Sequence, residues 1–238
     1  MFLKPKPAPV DTTPVIETKT FEGQLAQADS IDTYNFTLPY NSRVNLSFTH
    51  DFADGWRYWH IQMINKNGII SEFDVFGNVM STALGYSLYL PAGDYIFRVT
   101  DGQYYSNLKY QLNIKYEKNV GQYEFEPNDT MQSATPISLN TAIQGNIMPD
   151  SDMDYYKLTI TDKKEISLKI NHDFCDGWRY WEVKLISPSN GILLDFSSTG
   201  NVMEIISDKT ILDPGDYYIA VSKGQYSNPI DYKIAVLG

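Results

Sequence analysis

Four hard oxygen side chains, Glu124, Glu126, Asn128 and Asp129, fall within six residues in the segment Glu124-Phe125-Glu126-Pro127-Asn128-Asp129-Thr130. In an extended segment, alternation sets Glu124, Glu126 and Asn128 on one edge. Asp152 or Asp154 of the Asp150-Ser151-Asp152-Met153-Asp154 turn can converge on them there. Several carboxylates without His or Cys suit a hard cation such as calcium rather than zinc. The plainer alternative is an acidic linker that is simply solvated.

Aromatic chemistry forms a second group. His50-Asp51-Phe52-Ala53-Asp54-Gly55-Trp56-Arg57-Tyr58-Trp59 returns as His172-Asp173-Phe174-Cys175-Asp176-Gly177-Trp178-Arg179-Tyr180-Trp181, nine of ten residues identical at an offset of 122. If Trp59 and Trp181 face inward, strand parity sends Trp56 with Tyr58, and Trp178 with Tyr180, to the opposite face. An exposed Trp-x-Tyr pair is a stacking surface for a sugar ring or a proline-rich strand. The alternative is a pair packed under a loop or a neighbouring module. Arg57 and Arg179 are expected to pair with the adjacent Asp51/Asp54 and Asp173/Asp176, fixing the turn, the alternative being to stack on an aromatic face.

Catalytic signatures are lacking. The only histidines are His50, His60 and His172, and the sequence has no His-Glu-x-x-His pair, no phosphate-binding Gly-rich loop with a Lys and no Gly-x-Ser-x-Gly elbow. We therefore expect no enzymatic activity from this chain. A net charge of -10 disfavours nucleic acid and anionic membrane surfaces, both of which call for clustered Lys and Arg. Cys175 is the only cysteine, so no intrachain disulfide can form.

The elements that must position these groups are strands. Apolar residues alternate in Tyr34/Phe36/Leu38, Val44/Leu46/Phe48, Trp59/Ile61/Met63, Tyr95/Phe97/Val99 and Tyr110/Leu112/Ile114. The second half repeats them in Tyr156/Leu158/Ile160, Ile166/Leu168/Ile170, Trp181/Val183/Leu185, Tyr217/Ile219/Val221 and Tyr232/Ile234/Val236. Period two is the mark of half-buried strands, and Asp-Gly and Pro-x-Gly turns separate them. Gly77-Asn78-Val79-Met80 and Gly102-Gln103-Tyr104 also recur, as Gly200-Asn201-Val202-Met203 and Gly224-Gln225-Tyr226. The expected fold is all-β, two tandem jelly-roll-like β-sandwich domains, with a Pro-rich linker at 1–14, module one at 15–118 and module two at 119–238. The Pro-rich opening and the lack of an apolar signal stretch in Met1–Pro7 suggest a piece of something longer.

Glu126-Pro127-Asn128-Asp129-Thr130, Gly145-Asn146-Ile147, Asp152-x-Asp154-Tyr155-Tyr156 and Pro214-Gly215-Asp216-Tyr217-Tyr218 resemble the bacterial pre-peptidase C-terminal domain family, which includes the collagen-binding domains of clostridial collagenases. The match covers 122–238, with a degenerate version over about 16–116. It implies a non-catalytic β-sandwich appended to a secreted hydrolase. It also implies calcium held by Glu124, Glu126, Asn128, Asp129 and Asp152. Module one has Lys4-Pro5-Lys6-Pro7 upstream and Ser30 in place of Asp152, so no equivalent site is expected there. The family's collagen-facing tyrosines are absent: Ala220 and Ser222, and Arg98 and Thr100, occupy the outward positions. The expected partner is an extracellular polymer, protein or polysaccharide, met through Trp56, Tyr58, Trp178 and Tyr180. A structural spacer and a carbohydrate-binding module are the competing readings.

Overall fold

Alternating aromatic and β-branched residues make strands because one face of each can be buried while the other stays wet. The computed structural model describes residues 15–148 and 151–238; the Pro-rich stretch 1–14 and Asp150 lie outside the described residues. In the first half the strands are β1 (Ile16–Gly23), β2 (Ile31–Leu38), β3 (Ser42–His50), β4 (Arg57–Asn65), β5 (Gly68–Phe76), β6 (Ser81–Ala83), β7 (Leu88–Leu90), β8 (Gly93–Asp101) and β9 (Tyr110–Lys118). One sheet runs β1-β9-β3-β6 with β7 also on β3, and the other runs β2-β8-β4-β5.

The second half contains β10 (Thr135–Ile137), β11 (Ala142–Gly145), β12 (Met153–Ile160), β13 (Lys164–His172), β14 (Arg179–Ser187), β15 (Gly191–Thr199), β16 (Glu204–Ile206), β17 (Thr210–Leu212), β18 (Gly215–Lys223) and β19 (Tyr232–Leu237). Its sheets, β11-β19-β13-β16 with β17 on β13, and β10-β12-β18-β14-β15, repeat the first half strand for strand. The addition is β10, which pairs parallel to β12, Thr135 opposite Tyr156. The fold is thus all-β, two sandwiches in tandem, with no helix among the described residues.

Each sandwich closes on its own core. Phe48, Trp59, Ile61, Phe97 and Leu112 are fully buried in the first, and Leu168, Val183, Leu185, Ile219 and Ile234 in the second. Of the apolar alternation read from the sequence, Tyr34 alone is only partly buried. The two halves meet along a polar seam. Glu126 N donates to Tyr89 O (2.7 Å), Asn146 Nδ2 donates to Ser87 O (2.8 Å), and Tyr123 stacks on Tyr89 with ring centroids 5.1 Å apart.

Candidate metal centre and the repeated aromatic tips

The acidic segment lies across this seam. Tyr123, stacked on Tyr89, fixes its start, and Phe125 N donates to Thr135 Oγ1 (2.9 Å), tying it to β10. Glu124 turns inward, where its carboxylate accepts from Asn146 N (3.0 Å), Tyr156 Oη (2.8 Å) and Asn128 Nδ2 (3.3 Å). Gly145 is required beneath it: a Cβ there would stand 2.3 Å from Glu124 Oε2 and 2.7 Å from Tyr156 Oη. Glu126 accepts from Asn128 N (3.0 Å). Asp154 arrives from β12, opposite Val221 of β18, and accepts from Tyr232 Oη, which also meets Tyr156 Oη at 2.7 Å.

One ligand oxygen each from Glu124, Glu126 and Asp154 lies within 4.8 Å of the others. Burial is the main cause that holds Glu124, Glu126 and Asp154 well above the usual carboxylate range. Nearby acids add to it, Glu126 raising Glu124 and Asp154 raising Glu126. Burial likewise pushes Asp152 up to about 7, against the hydrogen bond from Met148 N and with the Asp129 carboxylate reinforcing the rise. Two buried oxygens, Asn128 Oδ1 and Asp154 Oδ1, accept no hydrogen bond at all. Buried acceptors left bare cost about 1–3 kcal/mol each, and clustered carboxylates repel. A hard cation relieves both at once, so the donor set fits a metal ion.

Glu124 and Glu126 therefore meet as the spacing suggested, with Asn128 beside them. Asp129 is exposed, and Asp152 stands at the rim with Oδ2 accepting from Met148 N (2.8 Å). The inward carboxylate from the following strand is Asp154. Its signal was the pairing with Tyr156 two residues on, which puts both side chains on the buried face of β12.

The aromatic decamers place their rings differently from the parity argument. Trp56 and Trp178 precede β4 and β14, in the loop, and each is 51% exposed. A register shift between Arg57 and Trp59, and again between Arg179 and Trp181, makes Tyr58 and Tyr180 the extra residues of β-bulges. As a result Tyr180 is buried and Tyr58 half-buried, their hydroxyls donating to Asp176 and Asp54 Oδ1 at 2.8 Å each. The exposed companion of each tryptophan is a different tyrosine. Trp56 meets Tyr104 edge-on (5.3 Å, 67°), and Trp178 meets Tyr226 (5.3 Å, 77°). The repeated Gly-Gln-Tyr motif was the available clue. The arginines also leave the turn: Arg57 pairs with Asp74 (2.9 Å) and Arg179 with Glu182 (3.7 Å).

A Ser–His contact exists, His172 Nε2 to Ser198 Oγ at 3.1 Å, but both residues are buried. Nδ1 of His172 meets the Asp173 backbone carbonyl at 2.9 Å instead of a carboxylate, so the pair has no orienting acid, and Ser198 is fully buried. Val75 replaces Ser198 in the first sandwich, which leaves His50 Nε2 with no partner.

The family resemblance is borne out by comparison with known proteins. Collagenase ColT of Clostridium tetani is 28% identical over 132 residues, 51% of this chain and 13% of collagenase ColT. The chain thus spans about an eighth of that relative's length. Among solved structures, the pre-peptidase C-terminal domain of a Bacillus anthracis collagenase is similar at 24% identity, over 43% of this chain and 93% of that one, with a TM-score of 0.34. PNGase F of Flavobacterium meningosepticum aligns over 94% of this chain and 96% of its own at 9% identity, TM-score 0.36. No family model matches the chain.

Proposed function

We propose that this chain is a non-catalytic, calcium-stabilised tandem that tethers a larger secreted enzyme, a hydrolase, to an extracellular polymer. The observation that carries the binding role is the same half-exposed Trp–Tyr pair at the same place in both sandwiches. Two weak sites on one chain gain avidity on a repetitive target. Calcium is assigned to Glu124, Glu126 and Asp154, with Asn128 Oδ1 completing an all-oxygen set and Asp152 and Asp129 at its rim. When bound, the ion neutralises the buried carboxylates and stiffens the seam that they span.

Pull-down on insoluble chitin, cellulose, peptidoglycan and collagen tests the reading. The intact chain is retained by at least one, and Trp56→Ala with Trp178→Ala abolishes the retention. A rigid spacer is the second reading, favoured by the inter-module bonds at Tyr89 and Ser87. It expects no retention on any polymer.

A further inference from the structure

Each Trp–Tyr pair is part of a larger apolar tip that the duplication preserves. In the first sandwich Phe52, Trp56, Val79, Met80 and Tyr104 are 45–67% exposed; in the second Phe174, Trp178, Val202, Met203 and Tyr226 are 44–66% exposed. Backbone bonds knit three loops into each tip. Ala53 N donates to Gly77 O (2.8 Å), Gly77 N to Trp56 O (3.0 Å) and Tyr104 N to Arg57 O (3.2 Å), and the second sandwich repeats all three. Such side chains are costly to leave in water, and the largest apolar patch of a monomer, about 300–600 Å², is often a functional one.

Three observations narrow the occupant. The rings of each pair stand 67° and 77° apart, forming a notch and not the flat platform that a sugar face stacks on. The charged groups nearest the rings are engaged within the protein: Asp54 Oδ1 accepts from Tyr58 Oη and Trp56 N, Asp176 Oδ1 from Tyr180 Oη and Trp178 N, and the arginines are paired away. Val and Met supply an adaptable apolar rim beside the rings, and the exposed amides of Asn78 and Gln103, repeated as Asn201 and Gln225, match the donors and acceptors of a peptide backbone. Asp51 and Asp173, next in sequence to Phe52 and Phe174, are exposed and make no ion pair among the described residues, on a chain of net charge -10. Taking roughly 200 Å² for a whole large side chain, each tip offers on the order of 500 Å². A stable interface takes about 800 Å² per partner, so one tip is too small for a tight self-dimer and two in series suit a long, repetitive ligand.

Resting on the binding role above, we propose that the tips grip extended polypeptide in which bulky apolar residues alternate with Lys or Arg. The test is titration calorimetry of the whole chain with a 24-residue peptide repeating Phe-Pro-Lys-Ser. Control peptides replace Phe by Ser or Lys by Glu, and cellohexaose and chitohexaose serve as the sugar arm. The Phe–Lys peptide should bind at least tenfold tighter than either control. Trp56→Ala with Trp178→Ala should weaken it at least tenfold, and Asp51→Asn with Asp173→Asn about threefold, with a flatter salt dependence. Equal binding of the Glu peptide, or indifference to the tryptophans, overturns the proposal. Sugar binding that the tryptophan changes abolish overturns it too, but leaves the tethering role standing. If no probe binds and no insoluble polymer retains the chain, both fall.

Discussion

Glu126→Gln isolates the metal chemistry, because glutamine keeps a carbonyl oxygen for the bond from Asn128 N (3.0 Å) and removes one of the three clustered charges. At 4.8 Å and an effective dielectric near 20, each pair of full charges repels by about 3.5 kcal/mol. In the metal-free protein burial, reinforced by that repulsion, raises all three carboxylates. Losing an outer partner of a metal site commonly costs 10–100-fold in affinity, and a ligand carboxylate costs at least as much. At free calcium a hundred times the wild-type Kd, the ion stabilises the protein by about 2.7 kcal/mol, roughly 5–10 °C in Tm for a chain of this length. The variant should retain about 0.4–1.4 kcal/mol of that, roughly 1–5 °C, while its Tm in EDTA equals or exceeds the wild type's.

The pH dependence carries a definite sign. Ordinary values are 4.5 for Glu124 and Glu126 and 3.8 for Asp152 and Asp154, and the fold raises all four, Asp152 to about 7. An acid whose folded value is raised destabilises the fold above its unfolded value, with the full penalty only above the folded one. In EDTA the wild type should therefore lose stability relative to Glu126→Gln as pH rises above the ordinary Glu126 value of 4.5. The calcium increment should grow over the same window, because binding displaces those protons. Differential scanning fluorimetry across pH 4–8, with calcium and with EDTA, reads both trends. A full calcium shift in Glu126→Gln, or metal-free stability that rises against the variant over that window, would refute the site.

The other predictions concern the frame. Trp56→Ala or Trp178→Ala should change urea-unfolding stability by less than about 1 kcal/mol, since both rings are half in water, whereas Trp59→Ala or Trp181→Ala should cost about 3–5 kcal/mol. Gly145→Ala drives a methyl into Glu124 Oε2 and Tyr156 Oη, so it should cost about 1–3 kcal/mol and blunt the calcium shift seen by fluorimetry. Ser198→Ala strips His172 Nε2 of its partner at a cost of about 1–3 kcal/mol in urea unfolding. Ser198→Val should cost less, because the first sandwich already runs a buried His50 against Val75 and fills the space with methyls.

Legibility in the sequence followed the reach of each signal. Period two needs only a strand and a core, so the buried faces from Phe36 to Val236 could be read directly. Parity failed at Tyr58 and Tyr180 because a bulge inserts one residue and resets the alternation, and nothing in Trp-Arg-Tyr-Trp marks the insertion. The pairing of Trp56 with Tyr104 spans two loops far apart in sequence, beyond any local periodicity. Glu124 and Glu126 announced themselves by composition. Asp154 was separable from Asp152 by parity, because it shares the inward face of β12 with Tyr156, Leu158 and Ile160, but the clustering of acids does not itself carry that choice.

The duplication also explains why only one sandwich gathers acids. Both contain the same frame: Tyr110 Oη meets Tyr34 Oη (2.8 Å) and donates to Asp32, as Tyr232 Oη meets Tyr156 Oη and donates to Asp154. In the first sandwich the frame is complete with that one carboxylate, since Tyr34 Oη turns to the backbone carbonyl of Glu22 at 3.2 Å. In the second, Tyr156 Oη donates instead to Glu124, which comes from the segment joining the sandwiches and brings Glu126 with it. The first sandwich thus has a lone acid that a tyrosine can satisfy, and the second has three that only protons or a cation can. Because Glu126 N is held by Tyr89 O of the first sandwich, the segment that creates this charge problem also fastens the two halves together. An ion that relieved the charge would act on the joint as well as on the core beneath it.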